Sequence, residues 1–236
     1  MIEHVYRQTA AAPSIGAVVV ATDDVRIVRA VEAFGGIAWL TKAEHRSGSD
    51  RLAEVASRLS SPIIVDVQGD EPLIQPAMIE QAVAPLLADR FIVMSTLRRR
   101  LTDGADWTDP NVVKVVVDRE GFALYFSRAA VPFHRHAASP ADCAPGGGPP
   151  AISTADSDSA GPWKHIGLYV FRRDFLLTFA SLPPTPLELR ESLEQLRALE
   201  HGYRIKTVET TEDSIGVDTP ADLERVRRVL AAGSRE

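Results

Sequence analysis

The chain has 236 residues, of which 45% are hydrophobic and 25% charged, and this fits one globular domain of the larger α/β kind. The formal net charge of -6 argues against a nucleic-acid-binding protein, which needs a basic face. The one cysteine, Cys143, excludes an intrachain disulfide and fits a reducing compartment.

No run of 18 apolar residues is present, so the sequence predicts no membrane span. The first five residues are neither basic nor apolar enough for a signal peptide. We therefore expect a cytoplasmic location.

The first part of the chain alternates between strand and helix patterns. Ile2, Val5 and Tyr6 have helical spacing. The following predicted elements are a strand at 17–22, a helix capped by Asp23, a strand at 37–40, a helix at 49–59, a strand at 62–67 and a helix at 76–88. This order predicts a mostly parallel sheet with helices on both faces.

The rest of the chain changes character twice. Segments 91–97, 112–118 and 122–126 are rich in β-forming residues, and the tight turn at 118–121 predicts a hairpin. Segment 137–162 is rich in Ala, Pro, Gly and Ser and predicts a flexible insertion. The remaining predicted elements are a strand at 165–171, helices at 174–181 and 187–201, a strand at 204–210 and a helix that begins at Thr219.

The strongest local signal for chemistry is the turn at 68–72, which follows an apolar strand. Ligands of open α/β sheets bind beyond the carboxyl ends of strands, and Asp70 lies there. Mg²⁺ takes one or two carboxylates together with substrate phosphates. Asp218, between a strand and a helix, is the candidate second ligand. The alternatives are that Asp70 caps a turn and that Asp218 is a helix-entry residue.

Two further polar sets are candidates for substrate binding. Residues 45–51 begin a helix and combine Ser-Gly with two arginines, which suits a nucleotide or a phosphate, although a polar capped turn has the same composition. The second set is Arg135, His165, Tyr169, Glu191 and Gln195. On one continuous helix, Glu188, Glu191 and Gln195 share an edge beside the apolar face and could line a sugar pocket. A solvated helix face and a structural histidine are the alternatives.

Eight motifs occur in order over almost the whole chain. They are 47–51 (SGSDR), 67–72 (VQGDEP), 111–116 (NVVKVV), 123–128 (ALYFSR), 131–133 (VPF), 164–169 (KHIGLY), 193–197 (LEQLR) and 217–220 (VDTP). Together they resemble the CMP-Kdo synthetase family (3-deoxy-manno-octulosonate cytidylyltransferase).

The resemblance implies a Rossmann-like nucleotide-diphospho-sugar transferase fold. It also implies transfer of CMP from CTP to 3-deoxy-D-manno-octulosonate (Kdo), with release of pyrophosphate, for lipopolysaccharide biosynthesis. The residues carried over from the family are Asp70 and Asp218 as catalytic Mg²⁺ ligands, Ser47, Gly48, Arg51 and Gln68 on the CTP side, and Arg135, His165, Tyr169, Glu191 and Gln195 on the Kdo side. The family is dimeric, and the hairpin around 112–128 would lie in the pairing region.

The chain departs from the family at its start. The family begins with a strand and a Gly-Lys loop that holds the triphosphate, and Met1 aligns just after that loop. We therefore expect residues 1–236 to form one nucleotidyltransferase domain that is N-terminally incomplete, through a late start assignment or a true truncation. A sheet without that central strand exposes an apolar surface. The alternative functions are a related keto-acid nucleotidyltransferase, for example of the sialic-acid type, and an inactive nucleotide-binding homologue.

Overall fold

The computed structural model describes residues 1–45, 47–102, 104–133, 161–214, 216–217 and 219–233, with side chains described up to residue 230. The helices are Ile2–Ala10 (α1), Val25–Ala33 (α2), Gly48–Ser57 (α3), Pro76–Ala88 (α4), Gly104–Thr108 (α5), Arg173–Ser181 (α6), Pro186–Glu191 (α7), Gln195–Glu200 (α8) and Pro220–Gly233 (α9). The strands are Val20–Thr22 (β1), Ala38–Leu40 (β2), Ile63–Asp66 (β3), Met94–Arg100 (β4), Lys114–Val117 (β5), Ala123–Ser127 (β6), Trp163–Arg172 (β7) and Lys206–Glu209 (β8).

The larger sheet has six strands and is mixed. Its order is β6-β5-β7-β4-β8, and β3 pairs with β7. Because β3, β4 and β5 are each antiparallel to β7, and β8 is parallel to β4, these four strands run in one direction and β6 and β7 run in the other. The mostly parallel α/β prediction is confirmed in this sense. The insertion of β7 as an antiparallel neighbour of β3 and β4 was not predicted.

Helices cover both faces of this sheet, as predicted. One core contains Phe171 of β7 with Leu176 and Phe179 of α6. The other contains Met78 and Ile79 of α4, together with residues of α1 and β7. All five named side chains are at most 1% exposed, so both faces of β7 are buried.

Strands β1 and β2 form a separate parallel pair. A groove of about 620 Å³ lies between β1 and β3. Its walls are residues 18–22 on one edge, residues 63–67 on the other, Ile2, Val5 and Tyr6 of α1, and Leu52 and Val55 of α3.

Several predicted elements agree with the structure, and others needed correction. The helix predicted to be capped by Asp23 is capped by Asp24, whose side chain accepts a hydrogen bond from the Arg26 N–H. The strand predicted at 91–97 is β4, which begins three residues later. Helix α4 has the predicted bounds, and β5 and β6 form the predicted antiparallel hairpin. The strand predicted at 17–22 is only β1, because the described ladder pairs it only with the three residues of β2. The helix predicted at 187–201 is two helices, because Ser192 adopts a left-handed conformation with φ 52°. The predicted insertion at 137–162 lies outside the described residues except for its last two. None of the helices in the described ranges is long and apolar enough to cross a membrane.

Candidate active site

Glu71 connects the turn after β3 to the segment that contains Ser214. The Glu71 carboxylate accepts a hydrogen bond from the Ser214 hydroxyl, and burial raises its pKa above the ordinary value. The Asp70 carbonyl accepts a hydrogen bond from the Val217 N–H at 2.9 Å. These contacts join the turn to the segment that leads to position 218, which is where the sequence predicts the second metal ligand.

Asp70 itself is partly exposed, and its carboxylate accepts no hydrogen bond from a described residue. A partly exposed carboxylate of this kind is a suitable oxygen donor for Mg²⁺. Asp218 lies outside the described residues. Within the described ranges no group of three His, Cys, Asp or Glu side chains could hold a metal. A Mg²⁺ bound by one or two carboxylates and substrate phosphates does not require such a group.

The predicted nucleotide side surrounds the start of α3. Ser47 is the N-cap of this helix, and its hydroxyl accepts a hydrogen bond from the Asp50 N–H at 3.2 Å. Gly48 lies so close to Gln68 that a Cβ at this position would be 3.6 Å from its Nε2. Gln68, which follows β3, and Gly48, at the start of α3, therefore lie together, as predicted.

Arg51, also predicted on the nucleotide side, has partners of its own. Its guanidinium donates a hydrogen bond to the Thr41 hydroxyl at 2.6 Å and lies 3.3 Å from the Asp23 carboxylate. With only 21% of its side chain exposed, Arg51 joins α3 to the ends of β1 and β2. Its role toward CTP stays a prediction.

Asp66 is a residue of this region that we did not predict. Its carboxylate accepts a hydrogen bond from Gln68 Nε2 at 2.9 Å. Burial, with the charges of Glu194 and Asp70, raises its pKa to about 7, against a weaker opposing effect of Gln68. Because Asp66 ends an apolar strand, its sequence context indicated only a strand residue.

His165 and Tyr169 lie next to one another on β7, with ring centroids 5.3 Å apart. Burial lowers the pKa of His165 to about 3, so the ring is neutral at pH 7. The Thr96 hydroxyl lies 2.9 Å from His165 Nε2 and within 3.0 Å of two backbone carbonyls. Because carbonyls only accept, the Thr96 hydrogen belongs to them and His165 Nε2 donates to Thr96. This leaves Nδ1 of His165 as a hydrogen-bond acceptor.

Tyr169 also stays neutral. Burial and the charges of Glu194 and Asp66 raise its pKa well above the ordinary value. The predicted partner Arg135 lies outside the described residues.

Glu191 and Gln195 do not share one helix face, because the break at Ser192 separates them. The Glu191 carboxylate accepts hydrogen bonds from Ser127 Oγ at 2.8 Å and Arg128 N at 2.9 Å. Burial raises the pKa of Glu191, but these hydrogen bonds and one from Tyr125 bring it below the ordinary value. The interpretation of a continuous polar helix edge was therefore wrong, and Glu191 holds α7 against β6. Gln195 is buried at the start of α8.

Comparisons with known proteins identify the family of this chain. A family model described as cytidylyltransferase matches residues 1–207. Proteins named 3-deoxy-manno-octulosonate cytidylyltransferase from Geobacter metallireducens and Syntrophotalea carbinolica are 55% and 57% identical over 98% of this chain, which covers 87% and 88% of their lengths. A solved structure of CMP:2-keto-3-deoxy-manno-octonic acid synthetase complexed with CTP has a TM-score of 0.84 and is 38% identical to this chain. The match covers 98% of this chain and 88% of the solved chain. The chain therefore belongs to the 3-deoxy-manno-octulosonate cytidylyltransferase family.

Proposed function

We propose that this chain transfers CMP from CTP to Kdo. The anomeric hydroxyl oxygen of Kdo forms a bond to the α-phosphorus, the bond to the pyrophosphate oxygen breaks, and the hydroxyl proton is released. The observation that carries the proposal is the juxtaposition of the Asp70 turn, the start of α3 and the polar end of β7, each of which carries residues matching the family. The product, CMP-Kdo, is a precursor for lipopolysaccharide biosynthesis.

On the nucleotide side, Ser47, Gly48 and Gln68 bind CTP at the start of α3, with Arg51 holding that helix in place. Asp70 and Asp218 hold Mg²⁺, which when bound neutralises phosphate charge. The contribution of the protein is positioning and electrostatics, as for other transfers of phosphorus groups.

On the acceptor side, the neutral His165 accepts a hydrogen bond from a Kdo hydroxyl through Nδ1. Tyr169 donates from its phenol, because its raised pKa keeps the proton on the oxygen. Arg135 pairs with the Kdo carboxylate, and Gln195 and Glu191 complete the acceptor side of the site.

We also place the reaction in the cytoplasm, where CTP is available, and propose a homodimer formed through the β5–β6 hairpin. Strand β6 is an edge of the larger sheet, and its Leu124 is 61% exposed. An exposed apolar side chain on an edge strand favours pairing with another copy.

The test is pyrophosphate release from CTP, Kdo and Mg²⁺, with CMP-Kdo identified by mass spectrometry. We expect EDTA to abolish release and Asp70→Asn to lower kcat roughly 10²- to 10³-fold, the scale of losing one electrostatic contact to the reacting group. Asp174→Asn is the matched control, because the Asp174 side chain is 96% exposed on α6. N-acetylneuraminate in place of Kdo tests the related keto-acid function. Binding of CTP without release with either acceptor would contradict the transferase proposal and favour a nucleotide-binding homologue.

A further inference from the structure

Glu194 connects two elements that are distant in sequence. Its Oε1 accepts a hydrogen bond from Ser47 Oγ at 2.6 Å, and its Oε2 accepts one from Ser49 Oγ at 2.9 Å. Ser47 caps α3, and Ser49 is 6% exposed in its first turn. One carboxylate therefore holds the start of the nucleotide-side helix through two charge-assisted hydrogen bonds.

Glu194 also adjoins the proposed acceptor half of the site. Glu194 is the N-cap position of α8 and directly precedes Gln195. The Arg197 guanidinium lies 3.6 Å from Glu194 Oε1, but it is committed to Glu188, to which its Nε donates at 2.9 Å. Arg197 therefore lies beside Glu194, while the two Glu194 oxygens keep their hydrogen bonds from Ser47 and Ser49.

The charge of Glu194 also acts on Asp66 at the end of β3 and on Tyr169 within β7. It contributes to the raised pKa of Asp66, which is buried, and of Tyr169, which is partly buried. Asp66 in turn holds Gln68. Glu194 is therefore central to the site while its two oxygens are occupied by protein hydroxyls.

We propose that Glu194 is a positioning residue that joins the CTP half of the site to the Kdo half by holding the start of α3 against the start of α8. This inference rests on the proposed function. Loss of the carboxylate releases the start of α3, so CTP meets a poorly ordered helix start, and α8 loses the contact that aligns Gln195.

The experiment compares Glu194→Ala with Glu194→Gln, Ser49→Ala and the double variant Glu194→Ala/Ser49→Ala. We expect Glu194→Ala to raise the KM for CTP and the KM for Kdo, each roughly 5- to 150-fold, the usual range of coupling between two sites. Glu194→Gln restores most of the loss, because its carbonyl accepts from Ser47 and its amide donates to Ser49. Ser49→Ala has no further effect once Glu194 is removed, since both residues contribute to one contact.

Glu224→Ala on α9 is the matched control, because this glutamate is 63% exposed and pairs with Arg227 on the surface. A merely structural role predicts a lower active fraction and a lower melting temperature, with both KM values unchanged. That result would overturn the proposal, and so would failure of Glu194→Gln to rescue a defect. If wild type releases no pyrophosphate, the proposed function fails separately. The Kd for CTP from calorimetry then decides this inference, with a weaker Kd for Glu194→Ala supporting it and an equal Kd contradicting it.

Discussion

The Asp66 carboxylate lies at the end of β3 with 8% of the residue exposed, and its described hydrogen bond is the one from Gln68. Burial separates it from water, and Glu194 and Asp70 add negative charge nearby. The pKa of Asp66 is therefore raised from its ordinary value of 3.8 to about 7. An acid that keeps its proton more tightly in the native state favours folding at low pH.

The sign of the pH dependence follows from proton counting. Between pH 3.8 and about 7 the native state holds a proton on Asp66 that the unfolded state has lost, so this contribution to stability falls as pH rises. The slope is at most about 1.4 kcal/mol per pH unit, and it vanishes above pH 7. Because Asn has no such proton, we expect the stability of Asp66→Asn relative to wild type to increase by about 2 to 3 kcal/mol between pH 5 and pH 8. Urea unfolding at both pH values measures this difference, in which contributions of other titrating groups cancel. If the free energy of unfolding changed equally with pH in the two proteins, native Asp66 would be ionised over this range and the prediction would be wrong.

At the scale of elements, the break between α7 and α8 separates Glu191 from Gln195, two residues of the proposed acceptor side. Ser192 has φ 52° and ψ 49°, which an L-residue adopts at a cost, and it is exposed. The break lets Glu188 accept from Arg197 across it while Glu191 points to β6. On one continuous helix, Arg197 would lie nine residues from Glu188, roughly 13 Å along the axis, and the two side chains could not pair.

The left-handed conformation predicts an unusual order of substitutions at Ser192. We expect Ser192→Gly to equal or exceed wild type in stability, because glycine adopts positive φ without strain. Ser192→Val should lower the free energy of unfolding by about 1 to 2 kcal/mol, because a β-branched side chain is disfavoured there. Ser181, an exposed serine at the end of α6, is the control position. There we expect Ser181→Gly to be no more stable than Ser181→Val. Thermal unfolding of the four variants gives the two orders, and the same order at both positions would contradict the assigned role of Ser192.

At the scale of the whole molecule, the β5–β6 hairpin leaves an apolar edge. Leu124 on β6 is 61% exposed and Leu189 on α7 is 69% exposed, and Glu191 ties α7 to β6. The described part of the chain thus presents apolar side chains on two connected elements at one end of the larger sheet. This arrangement supports the proposed homodimer.

A charged substitution tests that interface. We expect the wild type to sediment at twice 25.7 kDa, and Leu124→Lys to shift the equilibrium toward the monomer, because a desolvated ammonium opposes association. Leu40→Lys is the matched control, since Leu40 is 56% exposed on β2 in the other sheet. Analytical ultracentrifugation over a range of concentrations measures both. A monomeric wild type, or equal dissociation of both variants, would contradict the hairpin interface.

The sequence alone was enough for the fold class, the order of most elements and the family. Residue preferences and turn signals are local properties, so they predicted the approximate bounds of α4 and the position of the hairpin. The ordered motifs named the residues around the Asp70 turn because each motif is short and contiguous. They also placed Ser47, Gly48 and Gln68 together before any distance was known.

The tertiary structure decided what depends on contacts between distant segments. Glu194 meets Ser47 across 147 positions of sequence, and β7 lies between β3 and β4 through pairing that no local pattern contains. The Glu188–Arg197 pair across the break at Ser192 is likewise a contact between two separate helices. A carboxylate in an isolated sequence is simply a charged residue, whereas its role as a metal ligand, a helix tether or a protonated acid depends on burial and on neighbouring charges. Both of these are set only when the chain is folded.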